Sequence, residues 1–287
     1  MNITTPSENE TSLLVGTWNV NGLRAAWRKG FAGWLEAAAP DLLFLQEIRA
    51  SRDDLRRIDE QIAEQGYQTF WNPAIRPGYA GTGLLVREGA GKSLMPVRVE
   101  TSLGLDDLDT EGRTIIAHFP ERGFAALGAY FPNGTRGPER LEAKRRFYGA
   151  VLARAAALER EHETVILCGD FNTAHTALDL ANPSANAGSS GFLPAERAWI
   201  DELLAGGAAG YADIFREAHP GQGGHYTWWS PWGASRQHNT GWRFDYLLLN
   251  RAAAHLAVSA RIDADASLRA YISDHAPLLV RLQGLAA

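Results

Sequence analysis

The chain has a single cysteine and no hydrophobic run long enough to cross a bilayer. One cysteine excludes an internal disulfide, and the place of Cys168 in the apolar run 165–168 predicts a buried thiol. A membrane span needs about 18 consecutive apolar residues, so no membrane partner is expected. Residues 1–11 lack the basic start and long apolar stretch of a secretory signal, and they are predicted to form a disordered tail. Together these absences favour a cytoplasmic protein.

The chain also lacks an excess of positive charge. It carries 28 basic and 33 acidic residues, a net charge of −5, which argues against a protein that coats nucleic acid. Acidic residues that bind a divalent cation would account for part of this balance. The basic residues cluster in one run, which consists of Arg136, Arg140, Lys144, Arg145 and Arg146. A solvated helix face is the ordinary interpretation of such a run, and a DNA-facing surface is the alternative.

The order of apolar and helical segments predicts one α/β domain over residues 12–285. Helices are expected near 30–39, 53–65, 138–160 and 194–205. Ten strands are expected, at 13–15, 42–45, 67–71, 83–86, 114–119, 125–131, 165–168, 226–229, 244–249 and 277–280. Ten strands exceed what one sheet commonly holds, so two packed sheets with helices outside are the economical arrangement. The Gly-, Pro- and Asn-rich stretches 182–191 and 219–239 are typical of functional surface loops.

Four short polar clusters adjoin predicted strands. Residues 19–21, 46–47 and 170–172 follow a strand, whereas 273–275 precede one. A strand antiparallel to the other three would begin at the edge where they end. The clusters are therefore expected to meet in one crevice, where ligands bind in open α/β sheets.

The residue types in these clusters indicate a site for a hard metal ion. Glu47, Asp170 and Asp274 offer carboxylate oxygens, and Asn19 and Asn172 offer amide oxygens, which favours Mg²⁺ or Mn²⁺ over zinc. Such an ion suits phosphodiester hydrolysis.

One histidine is expected to work beside these oxygens. His275 can carry a proton or donate to a phosphate oxygen, and Asp245 is the candidate partner that fixes its tautomer. Taken singly, each of these residues is more often a cap, a turn or a surface group.

Motifs in the order of a known family strengthen the combined pattern. They are WNVNGLRA from Trp18, LQE ending at Glu47, GYAGTGLL from Gly78, EGR at 111–113, AYFPN at 129–133, CGDFN at 168–172, GWRFDY from Gly241 and SDH from Ser273. With these motifs, residues 14–282 resemble apurinic/apyrimidinic (AP) endonucleases of the exonuclease III type, in the endonuclease/exonuclease/phosphatase superfamily.

The resemblance implies a DNase I-like fold, a four-layered α/β sandwich of two packed mixed sheets flanked by helices. The implied activity is hydrolysis of the phosphodiester 5′ to an abasic site in double-stranded DNA, leaving a 3′-OH, with one or two Mg²⁺ (or Mn²⁺) ions. A 3′-5′ exonuclease or 3′-phosphodiesterase activity and a monomeric enzyme are also implied. The implied metal ligands are Asn19, Glu47, Asp170, Asn172, Asp274 and His275.

The resemblance also implies catalytic roles. Asp170 would orient or deprotonate the attacking water, and Asn172 would hold the nucleophile or the transition-state oxygen. His275, oriented by Asp245, would hydrogen-bond the scissile phosphate, and Tyr130 would face the same phosphate. As alternatives, Tyr130 could be a core aromatic, and Asp245 could pair with Arg243 on a strand surface.

DNA recognition is expected from loops rather than from a helix in a groove. The resemblance implies DNA contacts by Tyr79, Arg113, Asn133, Arg136 and Trp232, with Trp232 against the minor groove. An apolar pocket for the flipped-out abasic sugar would be formed by Trp228, Trp242 and Phe244. A buried hydrophobic cluster is the alternative interpretation of these aromatics.

The residues leave the dominant activity open. Asn21 stands where some relatives carry a carboxylate, and the combination of aromatics in the expected pocket can shift the balance between incision and 3′-end trimming. The alternatives are an exonuclease or 3′-end-cleaning enzyme with weak AP incision, and a phosphatase acting on a non-DNA phosphoester. A non-catalytic DNA-binding scaffold would require a lost ligand, and no ligand position is lost.

Overall fold

The computed structural model describes residues 12–89, 94–206, 210–265 and 271–285. The predicted tail, 1–11, lies outside the described residues. Two six-stranded mixed β-sheets lie face to face, with helices on the outer face of each, as expected from the strand count.

The first sheet joins both ends of the described chain. Its strands, in spatial order, are β13 (Ala257–Ile262), β14 (Leu278–Gln283), β1 (Ser12–Asn19), β2 (Leu42–Gln46), β4 (Thr82–Arg87) and β3 (Tyr67–Asn72). Strands β1 and β2 are parallel, whereas β14 runs antiparallel to β1. The start of β14 therefore lies at the edge where β1 and β2 end.

The second sheet has the same kind of edge. Its spatial order is β5 (Arg98–Glu100), β6 (Thr114–Phe119), β7 (Phe124–Tyr130), β8 (Thr164–Asp170), β12 (Asp245–Asn250) and β9 (Tyr211–Asp213). Strands β7 and β8 are parallel, and β12 is antiparallel to β8 with Asp245 opposite Asp170. A two-stranded ribbon of β10 (Trp228–Trp229) and β11 (Gly241–Trp242) forms a separate sheet, and a bridge between Trp228 and His275 links it to the segment before β14.

Helices cover the outer faces. The first sheet carries α1 (Leu23–Ala26), α2 (Ala32–Ala38) and α3 (Arg52–Ala63), with a π-helical segment at Trp27–Phe31. The second carries α5 (Pro138–Leu158) and α6 (Pro194–Ala205), and the short helices are α4 (Asp106–Asp109) and α7 (Ile214–Ala218). Helix α3 begins with a capping box between Ser51 and Asp54, and α5 and α6 each begin with a proline, which lacks the N–H that a first turn leaves unpaired.

Three apolar cores follow from these layers. The central core lies between the two sheets and contains Phe44, Cys168 and Val280, so the predicted burial of the thiol is confirmed. Gly128 on β7 faces Phe44 on β2 so closely that an added Cβ would lie 2.2 Å from the Phe44 ring. The sheets therefore approach each other through a small residue on one side and an aromatic on the other.

The four predicted helices are present, with ends shifted by a few residues, and the first of them begins earlier, at Leu23. Six short elements are not predicted by the sequence: β5, β9, β11, β13, α4 and α7. Each has only two to six residues, which show too little periodicity. The expected strand at 226–229 is reduced to Trp228–Trp229. The structure also separates the four cluster-bearing strands, because β8 belongs to the second sheet and the others to the first.

Candidate active site

Polar residues from both sheets converge at one end of the sandwich. Asn19 and Glu47 come from the ends of β1 and β2, and Asp274 precedes β14 in the same sheet. Asp170 comes from the end of β8 and Asp245 from the start of β12 in the other sheet. The crevice predicted from the four clusters thus forms between two sheets rather than along one.

Unusual backbone conformations bring the side chains into this crevice. Asn21, Glu47 and Asn172 have positive φ angles of 47°, 52° and 50°, in the left-handed region that non-glycine residues rarely adopt. Strain of this kind concentrates at functional sites. Gly169 precedes Asp170 with φ 135°, and a Cβ there would lie 1.9 Å from the Ala129 carbonyl oxygen, so only glycine fits.

Asn19 links the two sheets directly. Its Nδ2 donates to Glu47 Oε1 at 2.9 Å and to Asp170 Oδ2 at 2.9 Å. Arg49 forms an ion pair with Glu47 from the solvent side. The amide therefore holds a carboxylate from each sheet within one small volume.

Asp274 is fixed from two directions. Asn21 Nδ2 donates to Oδ1 at 2.8 Å, and Trp228 Nε1 donates to Oδ2 at 3.1 Å. Burial acts to raise the pKa of Asp274, but His275 and these two hydrogen bonds outweigh it and lower that pKa. Asp274 is therefore a carboxylate at neutral pH.

His275 lies between two buried carboxylates. Its Nδ1 is 2.8 Å from Asp245 Oδ2, and its Nε2 is 3.8 Å from Asp170 Oδ2. The alternative pairing of Asp245 with Arg243 is wrong, because Arg243 pairs with Asp179 and Asp213 and Asp245 is fully buried.

The charges of this group are strongly coupled. Burial raises the pKa of Asp170 to about 7, with His275 acting in the opposite direction. Burial lowers the pKa of His275, but Asp245 and Asp170 outweigh it and raise that pKa to about 10. The imidazole is thus held in its protonated form, beside a carboxyl group able to exchange a proton near neutral pH.

Hydrogen bonds fix both the backbone and the side chain of Asn172. Its backbone N–H donates to Asp170 Oδ1 at 2.8 Å, and its Nδ2 donates to the Phe131 carbonyl at 2.9 Å. Asn133 Nδ2 donates to Asn172 Oδ1 at 3.2 Å. Below it, the fully buried Lys144 donates to the Asn172 carbonyl at 2.7 Å and to Glu196 at 2.7 Å.

Tyr130 lies at the end of β7 and is 8% exposed, yet it borders the crevice. Burial and the nearby Glu47 carboxylate, to which it is hydrogen-bonded, raise the pKa of its hydroxyl, which therefore stays protonated. The guanidinium of Arg113 lies over its ring at 4.5 Å. Tyr130 is therefore a buried aromatic with a hydrogen-bonded hydroxyl, as the alternative interpretation held, and it also lines the crevice.

The predicted DNA-contact residues fall into two groups. Tyr79, Asn133 and Arg136 line a groove next to the crevice, and Trp232 is 82% exposed. Arg113 differs, because it is 2% exposed and donates to Tyr79, to the Tyr130 carbonyl and to Glu111. Arg113 lines the same groove, so a DNA contact by its guanidinium stays a prediction, while its hydrogen bonds to Tyr79 and to the Tyr130 carbonyl position the two tyrosines.

The three predicted pocket aromatics lie together. Trp228 and Phe244 stack with ring centroids 5.5 Å apart, and Trp242 lies 5.3 Å from Phe244. They border a cavity of about 310 Å³ that Asn172, His275 and Asp274 also line. The buried ion pairs of Arg243 with Asp179 and Asp213 anchor the segment between Trp242 and Phe244.

Sequence reasoning missed several supporting residues. Arg49, Lys144, Glu196 and Thr227 carry no motif signal, and Thr227 accepts hydrogen bonds from the backbone N–H groups of Phe244 and Asp245. Within the basic run, Arg145 forms the expected surface pair with Glu142, whereas Lys144 is buried. Helical periodicity of apolar residues cannot reveal a buried lysine.

The site has the donor set of a metal centre. Ligand atoms of Asp170, Asp245 and His275 lie within 4.8 Å of one another, and Glu47, Asn19 and Asp274 add oxygens at the same edge. Asp245 Oδ1 is buried without a hydrogen-bond partner among the described residues. Burying a carboxylate oxygen without a partner costs free energy, and a bound cation would offset that cost. The residues present are therefore suited to binding a metal cation.

Comparisons with known proteins agree with this geometry. The model of the Endonuclease/Exonuclease/phosphatase family matches residues 16–275. The exodeoxyribonuclease of Bacillus subtilis (strain 168) is 35% identical over 91% of this chain and 96% of its own length. DNA repair nuclease APEX1 of Danio rerio is 32% identical over 98% of this chain and 85% of its own length.

A solved structure extends the likeness to three dimensions. The 3′ phosphatase NExo from Neisseria, bound to a product DNA hairpin, superposes with a TM-score of 0.83 at 25% identity, over 95% of this chain and 100% of that one. In the described part of the chain, no helix is both long enough and apolar enough to cross a membrane. The chain belongs to the Endonuclease/Exonuclease/phosphatase family.

Proposed function

We propose that this protein is a DNA-repair nuclease that hydrolyses the phosphodiester 5′ to an abasic site in double-stranded DNA and leaves a 3′-OH. The observation that carries the proposal is the shared cavity of Trp228, Trp242 and Phe244 with Asn172 and His275. An apolar slot beside a phosphate-cleaving group suits a baseless deoxyribose extruded from the helix.

Asp170 is the proposed base. Its pKa of about 7 lets it accept a proton from the attacking water near neutral pH, and the fixed Asn172 amide would hold that water or the oxygen it becomes. His275, kept protonated by Asp245, would donate to the scissile phosphate, as would the protonated Tyr130 hydroxyl.

Mg²⁺ or Mn²⁺ is the proposed metal, as one or two ions, because carboxylate and amide oxygens dominate the site. Asn19, Glu47, Asp170, Asn172 and Asp274 would hold it. His275 would join them at a second ion only as a neutral imidazole, in place of its role as donor to the phosphate. When bound, such an ion polarises a phosphoryl oxygen and stabilises a leaving alkoxide. A monomer is the proposed active form, because Glu47, Asp274 and His275 already line one cavity together with the three pocket aromatics.

A 3′-5′ exonuclease or 3′-end-cleaning activity is the second candidate. A relative named exodeoxyribonuclease and a structural neighbour named 3′ phosphatase support it. A terminal sugar at a 3′ end could enter the same aromatic cavity without being extruded from a duplex.

A gel assay tests the proposal. Duplex DNA carrying one abasic analogue should be cut immediately 5′ to the lesion with Mg²⁺ and left intact with EDTA, and the matched undamaged duplex should resist. Trimming of a recessed 3′ end without internal incision would favour the second candidate. Equal cutting in EDTA, or hydrolysis of a phosphoinositide but not of DNA, would overturn both.

A further inference from the structure

A second group of metal-binding side chains lies at the opposite end of the second sheet. His118 is on β6 opposite Ala125 on β7, whereas Tyr130 at the other end of β7 borders the active site. Tyr130 is five residue steps along β7 from Ala125, which corresponds to about 16 Å. This group therefore belongs to a different part of the molecule.

The group consists of two imidazoles and a carboxylate. His118 Nδ1 lies 3.0 Å from His162 Nε2, and ligand atoms of His118, His162 and Glu161 all lie within 4.8 Å of one another. His162 and Glu161 follow the end of α5, so two separate segments contribute. Two imidazoles with one carboxylate form a donor set typical of zinc.

The orientation of His118 is set by a carboxylate behind it. Its Nε2 lies 2.8 Å from Glu100 Oε1, and Arg154 holds Glu100 at 2.7 and 2.9 Å. A histidine that donates one ring N–H to a carboxylate presents its other nitrogen as a lone pair, which is the usual arrangement behind a metal-bound histidine. Nδ1 of His118 is thereby directed at the group.

We propose that His118 Nδ1, His162 Nε2 and the Glu161 carboxylate bind a divalent transition metal of the zinc class. The bound metal would join the β5–β6 edge of the sheet to the end of α5.

Arg98 is the competing cation at this place. Its Nη2 pairs with Glu161 at 2.9 Å and lies 3.2 Å from the His118 ring, and its Nε pairs with Glu100 at 3.2 Å. The side chain is 52% exposed, so it can release Glu161 and keep Glu100 when the metal binds. Replacement of Arg98 should therefore strengthen metal binding rather than weaken it.

Calorimetric titration with Zn²⁺, in excess Mg²⁺ to occupy the oxygen-rich site, tests the proposal. Wild type and His255→Ala should bind one more equivalent of Zn²⁺ than His162→Ala, or bind it at least about tenfold more tightly. His255 is a matched control, because it is exposed and its Nδ1 is hydrogen-bonded to the nearby Ala252 carbonyl. Equal stoichiometry and affinity in wild type and His162→Ala would overturn the proposal.

Two further measurements separate a built site from casual chelation. Glu100→Gln removes no proposed ligand, yet it should weaken Zn²⁺ binding about 10- to 100-fold by freeing the His118 ring. A zinc-soaked crystal should show anomalous density between His118 Nδ1 and His162 Nε2. Unchanged Zn²⁺ affinity in Glu100→Gln, together with no anomalous density between the two histidines, would show that the group is an ion-pair network and not a metal site.

Discussion

At the scale of single residues, the site works through opposed environments for neighbouring groups. Asp170 and His275 lie 3.8 Å apart, and burial raises the pKa of Asp170 to about 7 while Asp245 and Asp170 raise the pKa of His275 to about 10. Pairs of titratable groups whose environments separate their pKa values are typical of acid and base assignments. Asp170 is therefore the base and His275 the cation in the proposed mechanism.

Asp170→Asn and His275→Ala test these assignments. Each variant should lower single-turnover incision by about 10²- to 10⁴-fold, because each removes a proton-transfer or charge-stabilising group. DNA affinity should change far less, as measured by titration with an uncleavable abasic duplex. Asp201→Asn, a change at a 70%-exposed carboxylate, should leave both quantities unchanged. A near-native rate in either site variant would contradict the catalytic role.

Asp245→Asn should lower the pKa of His275. The Asp245 carboxylate is the largest influence raising that pKa to about 10, and loss of an adjacent opposite charge typically costs about 1–3 units. A raised histidine pKa stabilises the fold below the unfolded value and loses that contribution as pH rises through the folded value. In metal-free protein, NMR titration of the His275 ring should show the lower pKa. In Asp245→Asn, the stability contributed by the protonated ring should be lost at a lower pH than in wild type. An unchanged His275 titration in Asp245→Asn would show that Asp245 does not raise the pKa of His275.

At the scale of elements, sequence patterns predicted what is long and buried. Strands β1, β2 and β8 appear as continuous apolar runs because both of their faces are covered, and the polar residues after them end at the crevice. The ribbon of β10 and β11 has only two residues per strand and no periodicity to detect. The pocket role of Trp228 and Trp242 in this ribbon is predicted by the resemblance to the family, and not by the spacing of apolar residues.

Trp242 on β11 is expected to exclude intact nucleotides from the pocket. Trp242→Ala should enlarge the cavity. Cleavage 5′ to an intact nucleotide should then rise relative to cleavage 5′ to an abasic site, because removing a large side chain from a pocket weakens discrimination by size. The measurement is the ratio of kcat/KM on the two duplexes. Trp232→Ala is the control, since this 82%-exposed side chain should affect DNA affinity but not the ratio. An unchanged ratio in Trp242→Ala would return Trp242 to a purely structural role.

At the scale of the whole molecule, the site exists only because two sheets are held face to face. Glu47 follows β2 in one sheet, Asp170 ends β8 in the other, and Asn19 bridges them. The sequence indicated that these groups would meet, but no local pattern reveals which strands share a sheet. That assignment depends on long-range packing, as the separation of β8 from β1 and β2 shows.

The sheet-to-sheet distance should therefore control both stability and activity. In Gly128→Ala the new Cβ would lie 2.2 Å from the buried Phe44 ring, which must shift, and we expect this shift to displace β2 and the following Glu47. Overpacking of this kind costs about 1–3 kcal/mol of the free energy of unfolding. Incision should fall as well, in protein that is still folded, because Glu47 and Asp170 no longer meet at Asn19.

Gly149→Ala provides the matched control. Gly149 lies on α5 with nothing within 4 Å of an added Cβ, so the same substitution should stabilise the fold by about 0.5–1 kcal/mol through helix propensity and leave incision unchanged. Urea unfolding and kcat/KM on the abasic duplex measure both effects. If Gly128→Ala matched Gly149→Ala in stability and rate, the two sheets would have enough slack to absorb a methyl group, and their spacing would not be what aligns the active site.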